Sequence, residues 1–251
     1  MEIVIGFFIS FAIAVTGVGA GTITAPVMIL FLSVEPSVAI GTALVFSVLV
    51  KIPVGISYYF KKLVDIRVLL QMTTGGIPGV IAGSLLLGDL TKNSSLKSLV
   101  LVIVGSIILF SALINIIFMV KKLDITKHHH RLKFFLPMFT FFIGLEVGFS
   151  SAGAGAMGTL LLMYTTRLEP RQILGTDIMF GLILSAVGGG FHLSLGNVDY
   201  SLLARLAMGA ALGVPAGIYG STKISPKPFK AILLIWLVFI GSQLLLRGLG
   251  H

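Results

Sequence analysis

Eighteen basic and nine acidic side chains are spread over 251 residues, yet few of them fall inside the long apolar stretches that make up most of the chain. Lys51, Glu146, Asp177 and Arg205 are the exceptions. A charge held in such a stretch costs about 2.5–3.5 kcal/mol on insertion scales unless a partner or an internal cavity receives it, so these four are the candidates for chemistry. The Lys51 ammonium could attract an anion. Glu146 and Asp177 could carry a coupling proton or sodium ion, or compensate Lys51 or Arg205, giving the three residues Glu146, Asp177 and Arg205 a coupling or gating role. Arg205 stands near the start of its apolar stretch, where a long side chain can also snorkel to the surface.

A second kind of candidate is backbone. Gly17, Gly19 and Gly21 precede Thr22, and Ser150 and Ser151 precede Gly153 and Gly155, each cluster interrupting an apolar run of about thirty residues. A chain interrupted at membrane depth exposes N–H groups at the start of the next half-helix, where the dipole favours an anion and glycine permits close approach. Thr22, Ser150 and Ser151 could add hydroxyl donors. The glycines at 75, 79 and 83, and at 209, 213 and 217, lie on one helical face and read as packing positions instead.

Other chemistries find little support. There is no cysteine, and His128, His129 and His130 are consecutive in a basic loop, without the helical spacing that aims imidazoles at one metal, so no metal site or cofactor is expected. Seven of the nine acids lie at or near segment ends, too sparse a set inside the membrane for a hydrolase. No Gly-x-x-x-x-Gly-Lys-[Ser/Thr] loop is present to bind nucleotide. A formal charge of +9 would suit nucleic acid, but the basic residues sit in short loops between apolar runs, the distribution of a multi-pass membrane protein.

The elements that must position these residues follow from hydropathy. Residues are 56% hydrophobic and 11% charged. Eight apolar segments lie at 3–32, 37–60, 66–88, 96–120, 133–165, 171–194, 200–220 and 229–247, and their composition predicts helices, hence an all-α membrane protein. Glu35-Pro36 and Glu169-Pro170 read as helix starts. Shifting the chain by 134 residues lays 17–83 onto 151–217 with 17 identities in 67 positions. The chain is therefore two repeated four-segment halves, 1–120 and 134–251, joined by a basic linker at 121–133.

Segments one and five are either broken crossings or re-entrant hairpins at their glycine motifs. Loop charge favours hairpins: if all eight segments cross, Lys and Arg near segment ends divide nine to seven, whereas with two hairpins they divide thirteen to three. Three crossings per half would then give inverted repeats, with basic loops cytoplasmic, both termini outside, and a midplane site suited to alternating access.

These motifs resemble the sulfite exporter family TauE/SafE: the Gly17-Val18-Gly19-Ala20-Gly21-Thr22 break early in the first half and its counterpart in the second, the Glu-Pro and Gly-Thr spacing that follows, and the glycine-rich third segments. The resemblance covers essentially the whole chain. It implies an inner-membrane carrier of small sulfur-containing anions such as sulfite, sulfonates or sulfoacetate, in many cases an exporter. The expected partners are a small anionic substrate and the lipid bilayer, with a homodimer compatible and nucleic acid excluded. A passive anion channel and a membrane-embedded enzyme are the alternatives.

Overall fold

The computed structural model describes residues 1–16, 20–93, 96–120, 135–152, 156–221 and 226–250. Among the described residues every element is a helix: α1 (Glu2–Thr16), α2 (Ala20–Phe31), α3 (Pro36–Phe60), α4 (Ile66–Lys92), α5 (Lys97–Val120), α6 (Leu136–Ser150), α7 (Ala156–Thr165), α8 (Pro170–Ser194), α9 (Tyr200–Ser221) and α10 (Pro226–Gly248). Six of these, α3, α4, α5, α8, α9 and α10, are long and apolar enough to cross a membrane. At about 1.5 Å per residue, the 25 residues of α3 or α8 reach roughly 37 Å. The 15 residues of α1, 12 of α2, 15 of α6 and 10 of α7 cannot each cover a core of about 30 Å. The first and fifth apolar segments are thus each divided into two short helices. The linker at 121–133, with His128, His129 and His130, lies outside the described residues.

Helix starts follow the local sequence. Proline stands at the first turn of α3 and α8, where its missing N–H costs nothing. The Gln172 side chain accepts from the Glu169 backbone N–H at 3.2 Å. Asp65 caps α4 by accepting from Val68 N at 2.9 Å, and Asp199 accepts from Leu202 N at 2.9 Å in the matching place before α9.

Glycine decides how the helices assemble. Gly75, Gly79 and Gly83 of α4 lie against the carbonyls of Pro137, Phe141 and Leu145 of α6, so close that a Cβ would overlap them. Gly209, Gly213 and Gly217 of α9 meet the carbonyls of Ile3, Phe7 and Phe11 of α1 in the same way. Numbers rise together in both series, so each pair runs parallel. The two contact sets also differ by the 134-residue repeat offset throughout. Each half therefore lends its first helix to the other half's glycine face. Elsewhere the order reverses: Gly55 of α3 touches Met179 and Leu182 of α8, while Gly189 touches Val45, so α3 and α8 cross antiparallel. The helices α5 and α10 also run antiparallel, with Gly105 beside Leu245 and Gly248 beside Val102.

Large apolar side chains such as Phe8, Leu70, Phe142, Leu212 and Phe239 face outward, as a lipid-facing surface requires. Without a hydrophobic drive between helices in lipid, close backbone approach at small residues supplies the cohesion. Gly79→Ala should therefore lower stability by about 1–3 kcal/mol through overpacking against α6, read as a reduced unfolding midpoint in detergent. Gly190→Ala, at a glycine with nothing within 4 Å, should leave the midpoint unchanged or raise it.

Candidate functional site

Lys51 sits on α3 where that helix crosses α8. Its ammonium donates to the Gly181 carbonyl at 3.3 Å and to Ser185 Oγ at 3.2 Å. Ser185 is the residue 134 positions on, the repeat counterpart of Lys51. The two repeat-equivalent positions are thus in direct contact. Two further bonds obey the same symmetry: Asp65 N donates to Thr176 Oγ1 at 3.0 Å, and Asp199 N donates to Thr42 Oγ1 at 3.0 Å. Each half thereby satisfies a free N–H at the start of a helix in the other.

Asp177, Gly181 and Ser185 recur every four residues and share one face of α8, the face Lys51 meets. Asp177 is 2% exposed and is the carboxylate that interacts electrostatically with Lys51. Its Oδ2 accepts from Thr159 Oγ1 of α7 at 2.6 Å. Its Oδ1 lies against the backbone of Gly158, where a Cβ could not fit. Asp177 thus ties the short helix α7 to α8, a few residues from the Lys51 contact. Glu146, on α6, is also buried, and its Oε1 has no hydrogen-bond partner among the described residues.

The glycine breaks of the two halves meet. Gly21, at the start of α2, lies against the backbone of Ser151, which follows α6 in a left-handed conformation at φ 57°. Ser151 Oγ donates to the Gly21 carbonyl at 3.0 Å. Ser150 Oγ donates to the Glu146 carbonyl at 2.9 Å and accepts from Ala152 N at 3.2 Å. The hydroxyl protons of both serines are therefore engaged by backbone here. Thr22 is buried beside them. Gly17, Gly19, Gly153 and Gly155 lie outside the described residues.

Arg205 is not joined to this group. Its Nε pairs with Glu2 at 2.8 Å, linking α9 to the start of α1 in a partly exposed ion pair. His192 is fully buried with its Cβ over Gly41, and its repeat counterpart Tyr58 covers Gly175. Thr159 and Gly158 were not singled out from the sequence, because nothing in their local spacing refers to Asp177. Ser185 could be found: the repeat alignment places it opposite Lys51, and the fold makes that alignment a contact.

Comparison with known proteins places the chain among membrane transporters. The family model described as Sulfite exporter TauE/SafE matches residues 2–244. "Probable membrane transporter protein YjnA" of Bacillus subtilis (strain 168) is 27% identical over 256 residues, covering 97% of this chain and 98% of that protein. "Probable membrane transporter protein YunE" of the same organism is 23% identical over 274 residues, covering 98% and 97%. No solved structure matches the chain at a significant level.

The Lys51 and Ser185 pair can be tested by exchange. Ser185→Lys alone would press two ammonium groups together and should cost roughly 3–5 kcal/mol, the penalty of an uncompensated buried charge. The double variant Lys51→Ser, Ser185→Lys restores one lysine and one serine to the contact and should recover most of the lost unfolding midpoint. A double variant as unstable as the single one would show that the two positions do not share an environment.

Proposed function

The chain belongs to the sulfite exporter TauE/SafE family of membrane transporters and not to a family of enzymes, and from that premise we propose that it exports small sulfur-containing anions such as sulfite, sulfonates or sulfoacetate by alternating access across the inner membrane. The observation that carries this reading is the Lys51 contact with Ser185, an ammonium held at the centre of a pseudo-symmetric pair of crossing helices. An ammonium has three N–H donors, and Gly181 O and Ser185 Oγ take two of them. The third serves the substrate. The N–H groups of Gly21 and Thr22 at the positive end of α2 add backbone donors to this anion site, whereas Ser151 N is already given to the Val147 carbonyl at 2.8 Å; Gly17, Gly19, Gly153 and Gly155 are the remaining sequence candidates for it.

The transport step uses the inverted relation of the two halves. Antiparallel packing of α3 with α8 and of α5 with α10 supports opposite orientations for the halves, and the parallel packing of α4 with α6 and of α9 with α1 is compatible with it. In this reading each first segment is a re-entrant hairpin, α1 with α2 and α6 with α7, whose tips approach the site from opposite faces. Asp177 acts in coupling or gating: through Thr159 it holds α7 against α8, and a proton or sodium ion taken up at its carboxylate would loosen that tie and free the α6–α7 arm. Glu146 on the same arm and the Arg205 pair with Glu2 at the outer end of α1 are further gating positions. The basic loops lie in the cytoplasm and both termini outside.

Two measurements bear on this. Lys51→Met should reduce saturable sulfite counterflow in proteoliposomes by roughly tenfold or more, the loss of one charged hydrogen bond, while leaving yield and folding intact; unchanged counterflow would remove Lys51 from the site. For topology, the cysteine-free chain can carry single cysteines at Lys62 and Arg167, both exposed. Hairpins place these two on the same face of the membrane, whereas broken crossings place them on opposite faces.

A further inference from the structure

A groove of about 630 Å³ runs between α5, α6 and α7, within the size range of sites that hold drug-sized molecules. Phe110 and Ile114 of α5, Phe139 and Phe142 of α6, and Leu161 and Tyr164 of α7 form much of its wall. Phe110 and Phe142 are among the most outward-facing side chains of their helices, so the groove opens towards the lipid. Glu146 lines the same groove. It is only 9% exposed, and its Oε1 has no hydrogen-bond partner among the described residues.

That combination needs an explanation the fold does not supply. Leaving a buried polar oxygen unpaired costs about 1–3 kcal/mol by protein mutational data, and more for a charged group. The repeat position that matches Glu146 in the first half is Ala12, so the packing of this segment does not require an acid. Among the described residues no basic side chain lines the groove. The internal lysine, Lys51, interacts with Asp177 and Ser185 instead. A lipid acyl chain would cover the aromatic wall but leave Oε1 unpaired. A lone water needs two to four polar partners, and besides Glu146 the wall offers only the hydroxyls of Tyr164 and Thr165 among the described residues, the latter already given to the Leu161 carbonyl at 2.6 Å.

A ligand with an apolar body and one ammonium meets both demands. The geometry points to the α5–α6–α7 groove as a second binding site, separate from Lys51, for an apolar molecule bearing a single ammonium that enters from the bilayer and donates a hydrogen bond to Glu146. Its walls supply non-directional burial, and the carboxylate supplies selection for the cationic end.

Dicyclohexylcarbodiimide, an apolar reagent for buried carboxyl groups, provides a readout independent of transport. In proteoliposomes of the full chain it should modify Glu146, identified by the mass of the labelled peptide. Decylammonium should slow that labelling, whereas decanol, of equal chain length, should not. Direct binding of radiolabelled decylammonium should weaken about tenfold or more in Glu146→Gln, as loss of a charged hydrogen-bond partner predicts. The competition on the native chain stands by itself if the variant does not fold. Equal protection by decanol and decylammonium would mean that the groove takes only an apolar chain and would overturn the proposal. Absence of labelling at Glu146 would overturn it as well. Neither result depends on whether sulfite is transported.

Discussion

Helices in hydrocarbon gain nothing from hiding apolar surface from one another, so their cohesion depends on how closely backbones can approach. In this protein that approach occurs where glycines of α4 and α9 face carbonyls of α6 and α1, with no room for a methyl group. Both contacts cross between the halves. Neither half therefore closes on itself, and the repeat is held together by an exchange of its first helices. The same exchange brings α3 against α8 at the centre and sets Lys51 opposite Ser185.

Contact between repeat-equivalent positions has a consequence for charge. Two lysines in such a contact would repel each other in a medium that screens little. The position is accordingly lysine in one half and serine in the other. The remaining internal acids are likewise single: Asp177 matches Ala43, and Glu146 matches Ala12. Where only packing or backbone satisfaction is at stake the halves stay alike, as in Thr42 with Thr176, Asp65 with Asp199, and the two glycine stripes. Duplication thus preserves the scaffold, while the charged groups diverge within it. The asymmetry also separates tasks in space: Lys51 and Asp177 face the α3–α8 crossing, and Glu146 faces a groove on the other side of the second half's short helices.

Much of the fold was legible in the residues. Apolar length marked the helices because a membrane crossing demands about twenty residues with satisfied backbone. Proline after glutamate placed the starts of α3 and α8, and the fourfold glycine spacing marked the close-packed faces. The fifth apolar segment read from the sequence becomes two short helices, α6 and α7, and the first becomes α1 and α2. The candidate site was legible in part. Lys51 and Asp177 stood out because charge is costly at depth, but their partners Gly181, Gly158 and Thr159 are ordinary residues whose importance comes from a contact.

By itself the sequence determined the membrane character, the 134-residue internal repeat, the family and the short set of internal ionisable residues, since hydropathy, repetition and the scarcity of charge are properties of the linear chain. Only the tertiary structure decided which half each first helix serves. It alone showed that Lys51 lies against its own repeat counterpart and that Arg205 is paired with Glu2, away from the other candidates. It alone left Glu146 facing an apolar groove without a hydrogen-bond partner for Oε1 among the described residues. The reason is physical: what a buried charge costs or does is set by the atoms within a few ångströms of it, and those atoms lie in other helices, up to 134 residues away.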